Sequence, residues 1–302
     1  MKKILIAGGT GFIGYHLSKA CLKMNWKVTS VSTKLPKKNR KLKNIKYLIC
    51  DLTKLDDVRT KLNKNFNFVV NLSGYVNHKN KKKTLRSHLN GAKNLVSYLY
   101  EKKNKSLEKF VQMGSSAEYG KLKGSQKETV NCETKSIYGL AKLKTTKYLM
   151  SQFEKMNFPV AILRLYQAYG PNQDINRLIP IAIDACKKNK SFNCSDGNQL
   201  RDFIYIDDVV TAIIKILKNK KSTGQIYNLG TGKCFTIKSV ISNISKYYKG
   251  GKPLYGKIKL RKEEPRITFA NIKKITKEIK WMPKTSLIIG LKKTLKYNDR
   301  KI

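Results

Sequence analysis

The strongest constraint this sequence places on its fold is a glycine-rich turn between a short apolar run and a helical pattern. Residues 4–7 form the run, Gly8-Gly9-Thr10-Gly11-Phe12-Ile13-Gly14 is the turn, spaced G-x-x-G-x-x-G, and the helical pattern lies near residues 15–24. Glycines let the backbone turn sharply and approach a pyrophosphate closely, and the amides of a helix N-terminus favour that anion. Tight turns need glycines too, so the motif is weak alone. Its place as the first strand-to-helix turn gives it weight.

The same alternation continues. Apolar runs at 28–31, 47–49, 68–72 and 110–113 are interleaved with a helical pattern near 84–100, the rhythm of βαβ units in a parallel sheet. A helix carrying Tyr138 and Lys142 leads to a strand at 160–165. After Gly170-Pro171 the regularity loosens, with isolated helices near 178–188 and 236–248. The expected fold is α/β. A Rossmann-like doubly wound parallel sheet takes residues 1–171 with a return segment at 202–231. A smaller, discontinuous α/β substrate domain takes 172–302.

Charge raises a competing reading. A net charge of +45 over 302 residues attracts polyanions, nucleic acid and anionic membranes included. The excess is mostly Lys, scattered along the chain rather than the Arg that reads phosphates bidentately. It is therefore read as a solvated shell, with no nucleic-acid or membrane partner expected, although a basic cleft suits a pyrophosphate. Cys21, Cys50, Cys132, Cys186, Cys194 and Cys234 show no C-x-x-C pair and no zinc spacing, so no metal site and a reducing cytoplasm are expected. No run reaches the roughly 18 apolar residues of a membrane span.

An acidic residue about 20 positions after the glycines usually holds the adenosine ribose and selects NAD. Here the end of the second strand reads Val31-Ser32-Thr33-Lys34. Hydroxyls beside a cation suit the 2′-phosphate that a carboxylate would repel, which favours NADP(H) and leaves NAD(H) as the alternative. Further on, Tyr138 and Lys142 stand four residues apart on one helix face. The ammonium is expected to lower the phenol from about 10, so that Tyr138 exchanges a proton at neutral pH. Ser115 follows the run at 110–113, at the strand end where α/β sheets place ligands, with its hydroxyl set to hold a substrate oxygen.

Together these pieces resemble the NAD-dependent epimerase/dehydratase family of extended short-chain dehydrogenases, essentially from end to end. The matching segments, in family order, are 8–14, 51–52, 72–74, 114–120, 138–142, 164–171, 201–208 and 227–232. The resemblance implies catalysis by Ser115, Tyr138 and Lys142, with Lys142 also bonding the nicotinamide ribose. It implies cofactor contacts from Gly8, Gly11, Phe12, Ile13 and Gly14, from Asp51 and Leu52 at the adenine, and from Leu72, Ser73 and Gly74 along the nucleotide. It assigns a nucleotide-sugar substrate to Ser115 and Gln167, to Arg201 and Arg261 at the diphosphate, to Arg177 and Leu178 at the nucleotide, and to Glu264 at its ribose. Surface charge and packing are the plain alternatives for these residues. A homodimer through paired helices and a setting in surface-polysaccharide precursor synthesis are implied in the same way.

Departures from the family pattern narrow the chemistry. Hexose 4,6-dehydratases carry an acidic pair or a single Glu just after the catalytic hydroxyl, where this chain has Ser116 and Ala117; elimination of water needs such groups, so a dehydratase ranks low. Glu118 stands at a usually apolar position, Gln167 replaces an Asn, and His88 falls where Asn is common. No His follows His88, which disfavours epimerisation at C3 and C5. The leading expectation is reduction of a 4-keto nucleotide sugar; the alternative is a 4-epimerase that retains NAD. A reading of another class, a non-catalytic dinucleotide sensor or RNA-binding relative, would show salt-sensitive nucleic-acid binding without turnover.

Overall fold

Strands that are apolar on both sides must be covered on both faces, and the first half of the chain supplies such strands with helices between them. The computed structural model describes residues 1–62, 65–75, 80–102, 104–261 and 264–300. It begins β1 (Lys3–Ala7), α1 (Phe12–Lys23), β2 (Lys27–Ser32), β3 (Ile45–Ile49), α2 (Leu55–Lys61) and β4 (Phe68–Asn71). Then come α3 (Lys81–Leu85), a π-helical segment at Arg86–Asn90, α4 (Gly91–Glu101), β5 (Lys109–Ser115), β6 (Gly124–Gln126), α5 (Ile137–Met156) and β7 (Val160–Leu165). The second half runs β8 (Gln167–Tyr169), α6 (Leu178–Lys187), β9 (Ser191–Asn193), β10 (Leu200–Arg201), β11 (Phe203–Tyr205), α7 (Ile206–Lys218) and β12 (Gln225–Leu229). It closes with β13 (Phe235–Thr236), α8 (Ile237–Tyr248), β14 (Lys252–Leu254), β15 (Ile267–Ala270), α9 (Lys273–Ile279) and α10 (Leu287–Asp299).

Among the described residues the main sheet has seven strands in the order β12-β7-β5-β4-β1-β2-β3, all parallel. The order reverses between β1 and β4, where Ile4 pairs with both Val28 and Phe68, and ligands of such sheets bind at the crevice this reversal opens. Alternation of side chains divides each strand between two cores. Ile4 and Ile6 pack with Leu17 and Cys21 of α1 and Val209 and Ile213 of α7, while Leu5 and Ala7 pack with Val58, Leu95 and Leu149 of α2, α4 and α5. Each fully buried Leu or Ile contributes roughly 1.5–3 kcal/mol, so these two faces hold the strand ends that carry the site. The expected doubly wound sheet is present.

A second sheet, β13-β10-β15-β6, stands over those strand ends, with β10–β13 antiparallel and the other pairs parallel. Local expectations held at β7, at α6 and at the end of α1, whereas α1 starts at Phe12, so that the last residues of the glycine motif already belong to the helix. The helix expected near 84–100 is instead interrupted by the π-helical segment between α3 and α4, a distortion frequent at functional sites. Helices α2, α7, α9 and α10 were not anticipated. In α7 the signal was there, since Val209, Ile213, Ile216 and Leu217 are buried at helical spacing. Among the described residues no helix is long and apolar enough to cross a membrane.

Candidate active site

At the C-terminal ends of β1, β4 and β5 lies a cavity of about 600 Å³. The glycine turn forms one wall. Gly8 has φ +76° and donates to the Val31 carbonyl at 2.7 Å, which folds the turn back on β2. A Cβ at Gly14 would come within 2.5 Å of the Gly8 oxygen, so α1 can start this close to the turn only with glycine there. Gly11 is the N-cap of α1 and, among the described residues, no side chain caps it, leaving first-turn amides available to an anion.

Of the residues singled out in the sequence, Gly8, Gly11, Phe12, Ile13, Gly14, Leu72, Gly74, Ser115, Tyr138, Lys142, Gln167, Arg177, Leu178, Arg201, Arg261 and Glu264 line this one cavity. Ser32, Thr33, Lys34, Asp51, Leu52 and Ser73 lie outside its lining. Ser32 donates to the Val31 carbonyl at 2.7 Å and accepts the Thr10 amide at 3.4 Å, and Lys34 is exposed. Asp51 is occupied by the Thr53 amide and hydroxyl at 3.0 and 2.8 Å.

Ser115 ends β5, and its hydroxyl accepts the Ala117 amide at 3.2 Å. Ser136 caps α5 by accepting the Gly139 amide at 3.0 Å, which fixes the first turns and so Tyr138 and Lys142. The Lys142 ammonium is buried, donates to the Met113 carbonyl at 2.7 Å, and stands 5.8 Å from the centroid of the Tyr138 ring. Burial pushes it down to about 8. The expectation that Lys142 lowers the Tyr138 phenol is corrected here. Burial raises the phenol above its usual 10, and what opposes this first is a hydrogen bond with the Ser115 side chain, then the charge of Arg177.

His88 was left without a role by the sequence. It is buried in the π-helical segment, and its ring lies edge-on to Tyr138 with centroids 5.4 Å apart. Nε2 donates to the Tyr75 carbonyl at 3.2 Å, so the neutral ring carries its proton there and Nδ1 is an acceptor. That Nδ1 has no partner among the described residues. Burial, and then Lys142, push His88 down to about 2. Gly74 makes room for it: at φ +142°, a Cβ there would fall 1.8 Å from the His88 ring. An uncapped helix start, a glycine cradle and an orphaned buried acceptor in one cavity fit a dinucleotide.

On the other wall, Arg201 is nearly buried. Its Nη1 donates to the Leu200 and Arg266 carbonyls at 2.8 and 3.1 Å, and its Nη2 pairs with Glu264 at 2.6 Å. Two residues assigned to different parts of a substrate thus meet each other. Arg177 is the N-cap of α6, directly before Leu178.

Residues 4–230 match the NAD dependent epimerase/dehydratase family. The chain belongs to that family. CDP-abequose synthase of Salmonella muenchen is 36% identical over 139 residues, 45% of this chain and 47% of that one. An uncharacterized UDP-glucose epimerase of Bacillus subtilis is 27% identical over 323 residues, 98% of this chain and 97% of its own length. The solved UDP-glucuronic acid 4-epimerase of Bacillus cereus, in complex with UDP-glucuronic acid and NAD, matches with a TM-score of 0.88 at 24% identity, over 99% of this chain and 100% of that one; this is a likeness of fold. Like its relatives in the epimerase/dehydratase family, the chain is an enzyme.

Proposed function

We propose that this epimerase/dehydratase family member reduces the 4-keto group of a nucleotide sugar, with the cofactor on residues 1–171 and 202–231 and the sugar on residues 172–302. The observation that carries the reading is the meeting of Ser115, Tyr138 and Lys142 at one cavity wall, with the phenol held protonated by burial. A protonated phenol is the form that donates to an oxygen gaining a hydride. The bound nicotinamide cofactor supplies that hydride. The Ser115 hydroxyl holds the C4 oxygen, Tyr138 passes it a proton, and Lys142 holds the nicotinamide ribose. Gly8, Gly11, Phe12, Ile13 and Gly14 take the pyrophosphate, with Asp51, Leu52, Leu72, Ser73 and Gly74 along the nucleotide. Arg201 and Arg261 take the substrate diphosphate, Arg177 and Leu178 its nucleotide, Glu264 its ribose, and Gln167 the sugar side. Ser116 and Ala117 beside Ser115 offer no carboxylate for elimination. Ser32, Thr33 and Lys34 at the end of β2 support NADP(H) over NAD(H).

A second reading, a 4-epimerase with retained NAD, is favoured by the NAD in the B. cereus structure. Fluorescence titration of the purified protein with NADPH and NADH separates the two. Tight NADPH binding with free exchange is expected, followed by NADPH oxidation with a 4-keto nucleotide sugar. Co-purified, slowly exchanging NAD moves the assignment to the 4-epimerase; binding of neither overturns both.

A further inference from the structure

The turn that carries Ser115 holds a carboxylate that no step of the proposed reaction uses. Glu118 is 0% exposed, and an ionised carboxylate so placed persists only with partners that satisfy it. Its Oε1 accepts the Ser115 amide at 2.9 Å and its Oε2 accepts Arg164 Nε at 3.0 Å. Arg164 lies on β7 in register with Gly114, with its guanidinium 4.6 Å from the centroid of the Tyr119 ring. Gly114 leaves the space, since a Cβ there would come within 2.6 Å of Glu118 Oε1.

Lys142 reaches the same strand end through the Met113 carbonyl. In an extended strand the carbonyl of one residue and the amide of the residue two further on face the same edge. Met113 and Ser115 are such a pair, one gripped by an ammonium and the other by a carboxylate.

We propose that Glu118 is a positioning residue: it fixes the turn that aims the Ser115 hydroxyl, and it places a buried carboxylate at the strand end that Lys142 grips. This rests on the cofactor reading above, in which Lys142 holds the nicotinamide ribose. Around Lys142 stand Tyr138 on its own helix, neutral His88 from the π-helical segment and Glu118 from the turn, with Arg177 facing Tyr138. Around Glu118 stand Arg164, Tyr119 and Cys132. Burial draws Lys142 down to about 8, and Glu118 is the charge that opposes it. Lys142 thus loses its proton within an accessible pH range, at a point that burial lowers and Glu118 raises.

The test is NADPH binding, followed by fluorescence from about pH 6.5 to about pH 9.5, a span that brackets the lysine. Wild-type affinity falls as pH rises through about 8. Glu118→Gln removes the charge and moves that midpoint down by about one pH unit, while Glu118→Asp keeps it. Arg164→Gln, which leaves the carboxylate unneutralised, moves it up and serves as an independent reading if Glu118→Gln does not fold. Affinity lowered equally at every pH, with the midpoint unmoved in both amide variants, reduces Glu118 to a structural role and overturns the proposal alone. A flat wild-type profile overturns its link to Lys142. A wild type that binds neither NADPH nor NADH brings down the cofactor reading, and this inference with it.

Discussion

Lys142→Met separates the cost of the site from its use. Burial holds Lys142 down to about 8 from 10.5, so the folded state binds this proton less tightly than the unfolded chain. Below about pH 8 both states carry it and the folded state bears the whole difference; 2.5 pH units correspond to about 3 kcal/mol of stability lost to this side chain. Between about pH 8 and 10.5 the unfolded chain binds more proton, so wild-type stability rises with pH through this window. Methionine removes the dependence and leaves the Met113 carbonyl unbonded, at a cost of about 1–2 kcal/mol. The variant is therefore expected to be about 1–2 kcal/mol more stable than wild type near pH 7. This advantage shrinks by about 2 kcal/mol by about pH 9.5 and reverses. Turnover falls at least about a hundredfold throughout. Urea unfolding read by the buried Trp26 and Trp281 at several pH values measures the difference, in which the exposed lysines cancel. A difference between the two proteins that does not change with pH would refute the reasoning, because it would mean that Lys142 titrates alike in the folded and unfolded states.

Two further variants test the same site. Tyr138→Phe keeps the ring against His88 and removes the proton donor, so turnover drops by about 10²–10⁴ while NADPH affinity holds; a variant retaining most of its turnover excludes Tyr138 as the donor. Gly74→Ala places a methyl 1.8 Å from the His88 ring at a φ of +142°, and is expected to lower stability by more than about 2 kcal/mol and to abolish NADPH binding. Urea unfolding and titration check both, and a near-neutral result contradicts the packing of His88 beneath Gly74.

The features legible in the sequence are those written in one dimension. The first apolar strand, its glycine turn and α1 follow from local periodicity and the steric freedom of glycine. Ser115, Tyr138 and Lys142 were found because strand ends and the four-residue helix repeat are local signals, and they do share a cavity. What stayed hidden depends on which strands become neighbours. Glu118 reads as an anomaly in a usually apolar place until β7 brings Arg164 to it. The role of Arg201 looked complete until the chain returned Glu264 to it, more than sixty residues later. The Tyr138 phenol was assigned the wrong sign because spacing reports which charge is close by and not how much water has been excluded.

The lysine excess looks different once burial is known. Among the described residues the buried lysines are Lys109 and Lys142, whereas Arg40, Arg164 and Arg201 are all buried. Each of those arginines is paired with a carboxylate: Arg40 with Asp174, Arg164 with Glu118 and Arg201 with Glu264. With 19 acidic residues against 64 basic ones, carboxylates are scarce, and yet three serve buried guanidinium groups at or near this cavity. Asp174 and Glu264 line it directly. Such pairing answers the desolvation of the guanidinium groups, which a planar fork of donors allows and a lone ammonium does not. In the proposed reaction it also sets a condition on binding. A diphosphate that takes Arg201 must do so in competition with Glu264, so the affinity of this wall depends on the exchange of one anion for another rather than on the +45 charge of the whole chain.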